Sequence, residues 1–110
     1  MKVEQKGHIT TIRNTQCGTS EFYQKLWHEY TSYKTQNLIV DLSKDKKIAI
    51  ADIKLFLEMS NIHKKEKKSL VLVTDNINFN DVPAKLTVVP SLLEAHDIIA
   101  MEEIERDLGF

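Results

Sequence analysis

Apolar and polar positions along the chain sort into short strands alternating with helices. Lys2 to Lys6 alternates weakly, Gly7 and His8 mark a turn, and Ile9 to Arg13 alternates again, which predicts a β-hairpin about Gly7. From Glu21 to Lys34 the period is helical, with Thr19 or Ser20 as its cap. At about 100° per residue, Phe22, Tyr23, Leu26, Trp27, Tyr30 and Tyr33 share one stripe of it. Leu38, Ile39, Val40 and Leu42 then make a nearly continuous apolar run broken only by Asp41. Lacking a polar alternate face, that run predicts a central strand covered on both sides. A helix is predicted from about Ala49 to Lys65, a second buried strand at Leu70 to Val73, and a polar connection from Thr74 to Asp81. A short edge strand is predicted at Leu86 to Val89, ended by Pro90. Ser91 then caps a final helix, with Glu94 at capping-box spacing.

Two helical patterns carry more apolar surface than one sheet contact needs. Between Ala49 and Lys65, Lys54, Glu58, Asn61 and Lys65 form a narrow polar strip. Ile50, Ile53, Phe56, Leu57 and Ser60 form an apolar sector that Leu55, Met59 and Ile62 widen to about 240°. Either another element of the domain covers the surplus, or a partner does. In the last helix Leu92, Ala95, Ile98 and Ile99 make one stripe, and Leu93, Ala100, Ile104 and Leu108 make another. The second stripe is rotated by about a third of a turn or more, which predicts a bend or second short helix near Ala100, or a tail, Met101 to Phe110, packed on a neighbouring subunit of a homodimer.

Strands alternating with helices predict an α/β fold with a mainly parallel sheet and right-handed crossovers. At 110 residues the chain has the length of one domain, spanning 1–110. Its 42% apolar and 28% charged residues are ordinary for a globular protein. A net charge of −1 offers no whole-molecule attraction for nucleic acid or acidic lipid. The charge is uneven, however: eight lysines face four acids between Lys44 and Lys68, and six acids face Arg106 alone between Glu94 and Asp107. The aromatic helix is either a stacking platform for bases or an anchor onto the sheet. Platforms interleave Arg and Lys with exposed rings, a pattern absent here, so the anchor is expected and a nucleic-acid partner is not.

Cys17 stands alone, which excludes an internal disulfide and fits a reducing cytoplasm. No apolar run approaches the roughly 20 residues of a membrane helix, and MKVEQKG lacks a signal-peptide core. Reactive constellations are missing as well. His8, His28, His63 and His96 have no zinc spacing, three glycines build no phosphate loop, and no GxSxG elbow is present. Cys17 is at most a weak candidate nucleophile. Neither enzymatic activity nor a cofactor is expected.

With its hairpin, the NLIVDLS strand, the IADIKLFLEMS helix, the SLVLVT strand and the VVPSLLEAHDII ending, the chain resembles the STAS domain family of anti-sigma-factor antagonists and sulfate-transporter domains. The resemblance implies a mixed, mostly parallel sheet of about five strands, the first pairing antiparallel, and a regulatory role without catalysis. In antagonist members a serine in an Asp-Ser-Ser-Gly pattern, at the start of the helix after the central strand, is phosphorylated by a partner kinase of the histidine-kinase ATPase type. Asp41, Leu42 and Ser43 match the strand-end part of that pattern, but Ala49, Ile50, Ala51 and Asp52 stand where the serine motif would be. Asp52 supplies a fixed negative charge in the first helical turn, which either mimics the phosphate or simply stabilises the helix. Ser43 is the nearest hydroxyl left for phosphorylation, and a strand-end hydrogen bond is its alternative role.

The expected partner-binding surface is therefore Ser43, Lys46, Lys47, Ile50, Asp52, Leu55, Met59 and Ile62, taking a protein partner such as an anti-sigma-factor-type kinase. A small-ligand site among Ser43, Thr74 and Pro90 is the second expectation. The ending EAHDIIAMEEIERDLGF also resembles short bacterial chains that carry a ribonuclease Z name. The histidine- and aspartate-rich zinc motif of that nuclease is absent, so its activity is not expected.

Overall fold

The structure, a computed structural model, describes residues 1–15 and 18–109, so the candidate nucleophile Cys17 lies outside the described residues. Five strands form one mixed sheet in the order β1-β2-β3-β4-β5. Strands β1 (Lys2–Lys6) and β2 (Ile9–Arg13) pair antiparallel around Gly7, whose positive φ of 61° is the reason a glycine suits the turn. Strands β3 (Asn37–Asp41), β4 (Leu70–Val73) and β5 (Val88–Val89) add in parallel, with Ile39 beside Val71 and Leu72 beside Val88. The α/β fold and the antiparallel first pair agree with expectation. Strand β5 is shorter than the Leu86–Val89 run predicted: the Leu86 amide donates to the Pro83 carbonyl in a turn, and the Leu86 side chain is buried with the core.

Pleating divides the apolar residues of β3 and β4 between two cores. Leu38, Val40, Leu70 and Leu72 point to one face, where helix α1 (Thr19–Glu29) contributes Phe22, Tyr23 and Leu26. Ile39, Val71 and Val73 point to the other and meet Ala95 and Ile99 of helix α4 (Leu92–Asp107). This asymmetry follows from chain direction. Each parallel strand from β2 to β5 is added on the same side of the last, and right-handed connections that keep stepping one way all fall on one face. The opposite face is left to the helix that follows the final strand.

The predicted helix over Ala49–Lys65 is two helices, α2 (Ile50–Lys54) and α3 (Leu57–Lys65), separated at Leu55 and Phe56. Helix α3 ends where Lys67 adopts a left-handed φ of 60°. The Lys67 amide donates to the Lys64 carbonyl and the Lys68 amide to the His63 carbonyl, the paired bonds of a Schellman ending. Helix α4 is one uninterrupted helix, so no second short helix begins near Ala100. Its two apolar stripes lie on one helix, facing different ways.

The aromatic helix is an anchor. Phe22, Tyr23, Leu26 and Tyr30 are buried, and the Tyr23 ring meets Phe56 edge-on with centroids 5.0 Å apart. Half-buried Trp27 lies stacked between Tyr23 and Tyr30.

Candidate functional site

The loop leaving β3 is held in shape by two aspartates. The Asp41 side chain accepts from the Ser43 hydroxyl at 2.6 Å, from the Ser43 amide at 3.0 Å and from Arg13 Nε at 3.2 Å. Ser43 therefore fills the strand-end role, and a phosphate on it would stand against the Asp41 carboxylate. Asp45 is buried beneath the same loop and accepts from the amide and hydroxyl of Thr19, at 3.0 and 2.8 Å, and from the Lys47 amide at 3.0 Å. Gly18 stands at the N-cap of α1 without a side chain to offer, so a carboxylate from a distant loop caps that helix instead. Burial alone would raise the Asp45 pKa. The hydrogen bonds from Thr19 and Lys47 outweigh it and hold the carboxyl below its ordinary value.

Asp52 carries out the helix-stabilising alternative. Its carboxylate accepts from the Ala49 amide at 3.0 Å, half of a capping box whose other half would need a side chain that alanine lacks. Lys46 and Lys47 are exposed around this corner, and Ser43, Ile50 and Asp52 are half-buried. These five follow β3, in its loop and in the first turn of α2.

Met59 and Ile62 do not join them. Met59 is fully buried in the cluster that holds Phe22, Tyr23 and Tyr30, and Ile62 is half-buried against the same cluster. The surplus apolar arc is thus covered from within by α1. Of the three residues that widened it, only Leu55 is exposed, and at 37% it is barely so.

The large exposed apolar surface lies elsewhere. Leu93, Met101, Ile104 and Leu108 are 73, 59, 59 and 68% exposed, above every other large apolar side chain among the described residues. Leu93, Met101 and Ile104 stand on α4 and Leu108 is its C-cap residue, all on the side away from Ala95 and Ile99. With exposed Ala100 they fill about 100° of arc along about 22 Å of helix. The sequence had shown this second stripe, but a chain without coordinates does not say which stripe the sheet takes.

A buried polar group links the two layers on the opposite face. His63 is wholly buried, with Nδ1 2.7 Å from the Tyr30 hydroxyl and Nε2 2.6 Å from the Gln36 carbonyl oxygen. A carbonyl only accepts, so Nε2 carries the proton and Nδ1 accepts from Tyr30. Burial lowers the His63 pKa, and Lys68 and Arg106 add to this against the opposing Gln36 bond and Glu66. The Tyr30 hydroxyl is pushed up to about 12, first by burial and then by Glu66. The arrangement is a structural tie with no open approach for a substrate.

Two cavities lie away from the Ser43, Thr74 and Pro90 corner. One of about 600 Å³ is bordered by Lys64, Lys67, Ser69, Glu102 and Arg106. One of about 440 Å³ lies between Val3, Lys25 and Tyr33. Thr74 itself is buried, its hydroxyl oxygen accepting from the Asn76 amide at 3.3 Å. Among the described residues no three His, Cys, Asp or Glu side chains gather as a metal site requires, and no helix is long and apolar enough to cross a membrane. No family model matches the chain, and no curated protein matches it significantly.

Proposed function

We propose that this chain is a non-enzymatic regulatory module that works by binding a protein partner, docking it on the outer face of α4. The observation that carries the proposal is the exposed ridge of Leu93, Met101, Ile104 and Leu108 on a helix whose other side is already buried. Isolated surface leucines need no explanation, but four aligned on one helix face mark an interaction surface. The mixed sheet with an antiparallel first pair supports the resemblance to anti-sigma-factor antagonists, cytoplasmic proteins that act by association. A kinase of the anti-sigma-factor type is one partner this resemblance implies. Residues 49–52 carry no hydroxyl, so such binding would not be switched there by phosphorylation.

The test is affinity capture from native lysate with the wild type and with a Leu93→Asp/Ile104→Asp variant, each checked for folding by circular dichroism. Both positions are largely exposed, so the variant should melt within a few degrees of wild type. A partner held by wild type and absent from the variant is the expected result. The same proteins captured by both would overturn the assignment.

A further inference from the structure

We infer that the partner segment seated on α4 is itself a basic amphipathic helix: an apolar stripe bordered by lysines or arginines. The inference rests on the docking role just proposed and adds the chemistry of the occupant. On the α4 wheel, Glu94 and Glu105 flank the apolar ridge on one side, Glu103 and Asp107 on the other, and Asp97 sits within it. The one cation of the helix is turned away from this face. Arg106 points back to the sheet, donating from Nη1 to the Ser69 hydroxyl at 3.1 Å and from Nη2 to the Asn37 side-chain oxygen at 3.3 Å. Five carboxylates thus surround the ridge, and none of them has an ion-pair partner among the described residues. A helix laid along the ridge would place its flanking side chains beside those acids, where cations are attracted and anions repelled.

The same charges argue against a second copy as the occupant. Two α4 ridges packed face to face would bring ten carboxylates together, two sets of five, with no lysine or arginine of either ridge to offset them. Most lysines of the chain lie at the β3 loop and at the end of α3, where Lys64, Lys67 and Lys68 border the cavity that Glu105 also lines, on one flank of the ridge only.

The experiment titrates the full chain with two synthetic helical peptides that share one leucine stripe, the first bordered by lysines and the second by glutamates. Wild type should bind the lysine peptide about tenfold or more tightly than the glutamate peptide, as a few exposed ion pairs would give, with the difference shrinking at high salt. Ile104→Asp/Leu108→Asp should lose the lysine peptide, and Glu94→Lys/Glu105→Lys should lose the preference while keeping its fold. Equal binding of both peptides would refute the basic partner and leave the docking face standing. Binding of neither, or undiminished binding by Ile104→Asp/Leu108→Asp, would remove the docking face as well. A sedimentation dimer abolished by that same variant would identify the occupant as a second copy and overturn the inference.

Discussion

His63 shows how one side chain couples acidity to folding. Its folded pKa is below the ordinary value of about 6.5, so the unfolded chain takes up a proton that the native imidazole refuses. Stability from this residue is therefore complete above about pH 6.5 and falls as the pH drops below it. Protonation would also put a second N–H against the Tyr30 hydroxyl, forcing that group to reverse its hydrogen bond. The urea midpoint should be lower at pH 5.5 than at pH 7.5, and His63→Gln should flatten the difference between them. An equal pH dependence in both proteins would show that the loss arises elsewhere. Such a residue was not legible beforehand: a lone histidine among lysines looks like helix surface until Tyr30 and Gln36 are brought to it. Asp45 was hidden for the same reason, since its partner Thr19 lies 26 positions away in the chain.

At the scale of elements, strands β3 and β4 were legible because burial on both faces leaves an uninterrupted apolar run. The break between α2 and α3 was not, because neither Leu55 nor Phe56 is a residue that interrupts a helix by itself. At the break the Leu55 and Phe56 amides donate three residues back, to the Asp52 and Ile53 carbonyls, while Ile53 and Phe56 are both fully buried in the core shared with α1. This predicts opposite outcomes for two residues that the helical wheel placed together. Met59→Ala should cost about 2–4 kcal/mol in chemical denaturation, as for other buried methionines. Leu55→Asp should change stability by no more than about 1 kcal/mol, as its side chain already meets water. Similar losses from both would mean that α2 and α3 behave as one amphipathic rod.

For the whole molecule, the sheet is protected unevenly from its centre to its rim. All five residues of β3 are buried and all five of β1 are exposed. Hydrogen exchange should accordingly be slowest in β3 and β4, approaching the rate set by global unfolding, and faster by orders of magnitude in β1. Uniform protection across the sheet would contradict this gradient. The outer rim carries Lys2, Glu4 and Lys6, charges of the kind that discourage edge-to-edge assembly.

Helix α4 both roofs the second core, over Ile39, Val71 and Val73, and presents the outward ridge. Whatever grips the ridge also clamps that roof shut. A bound partner at 100 times its dissociation constant would add about 2.7 kcal/mol against unfolding, by mass action. Occupancy could then be followed from the far side of the helix, as slower opening of amides that the partner never touches.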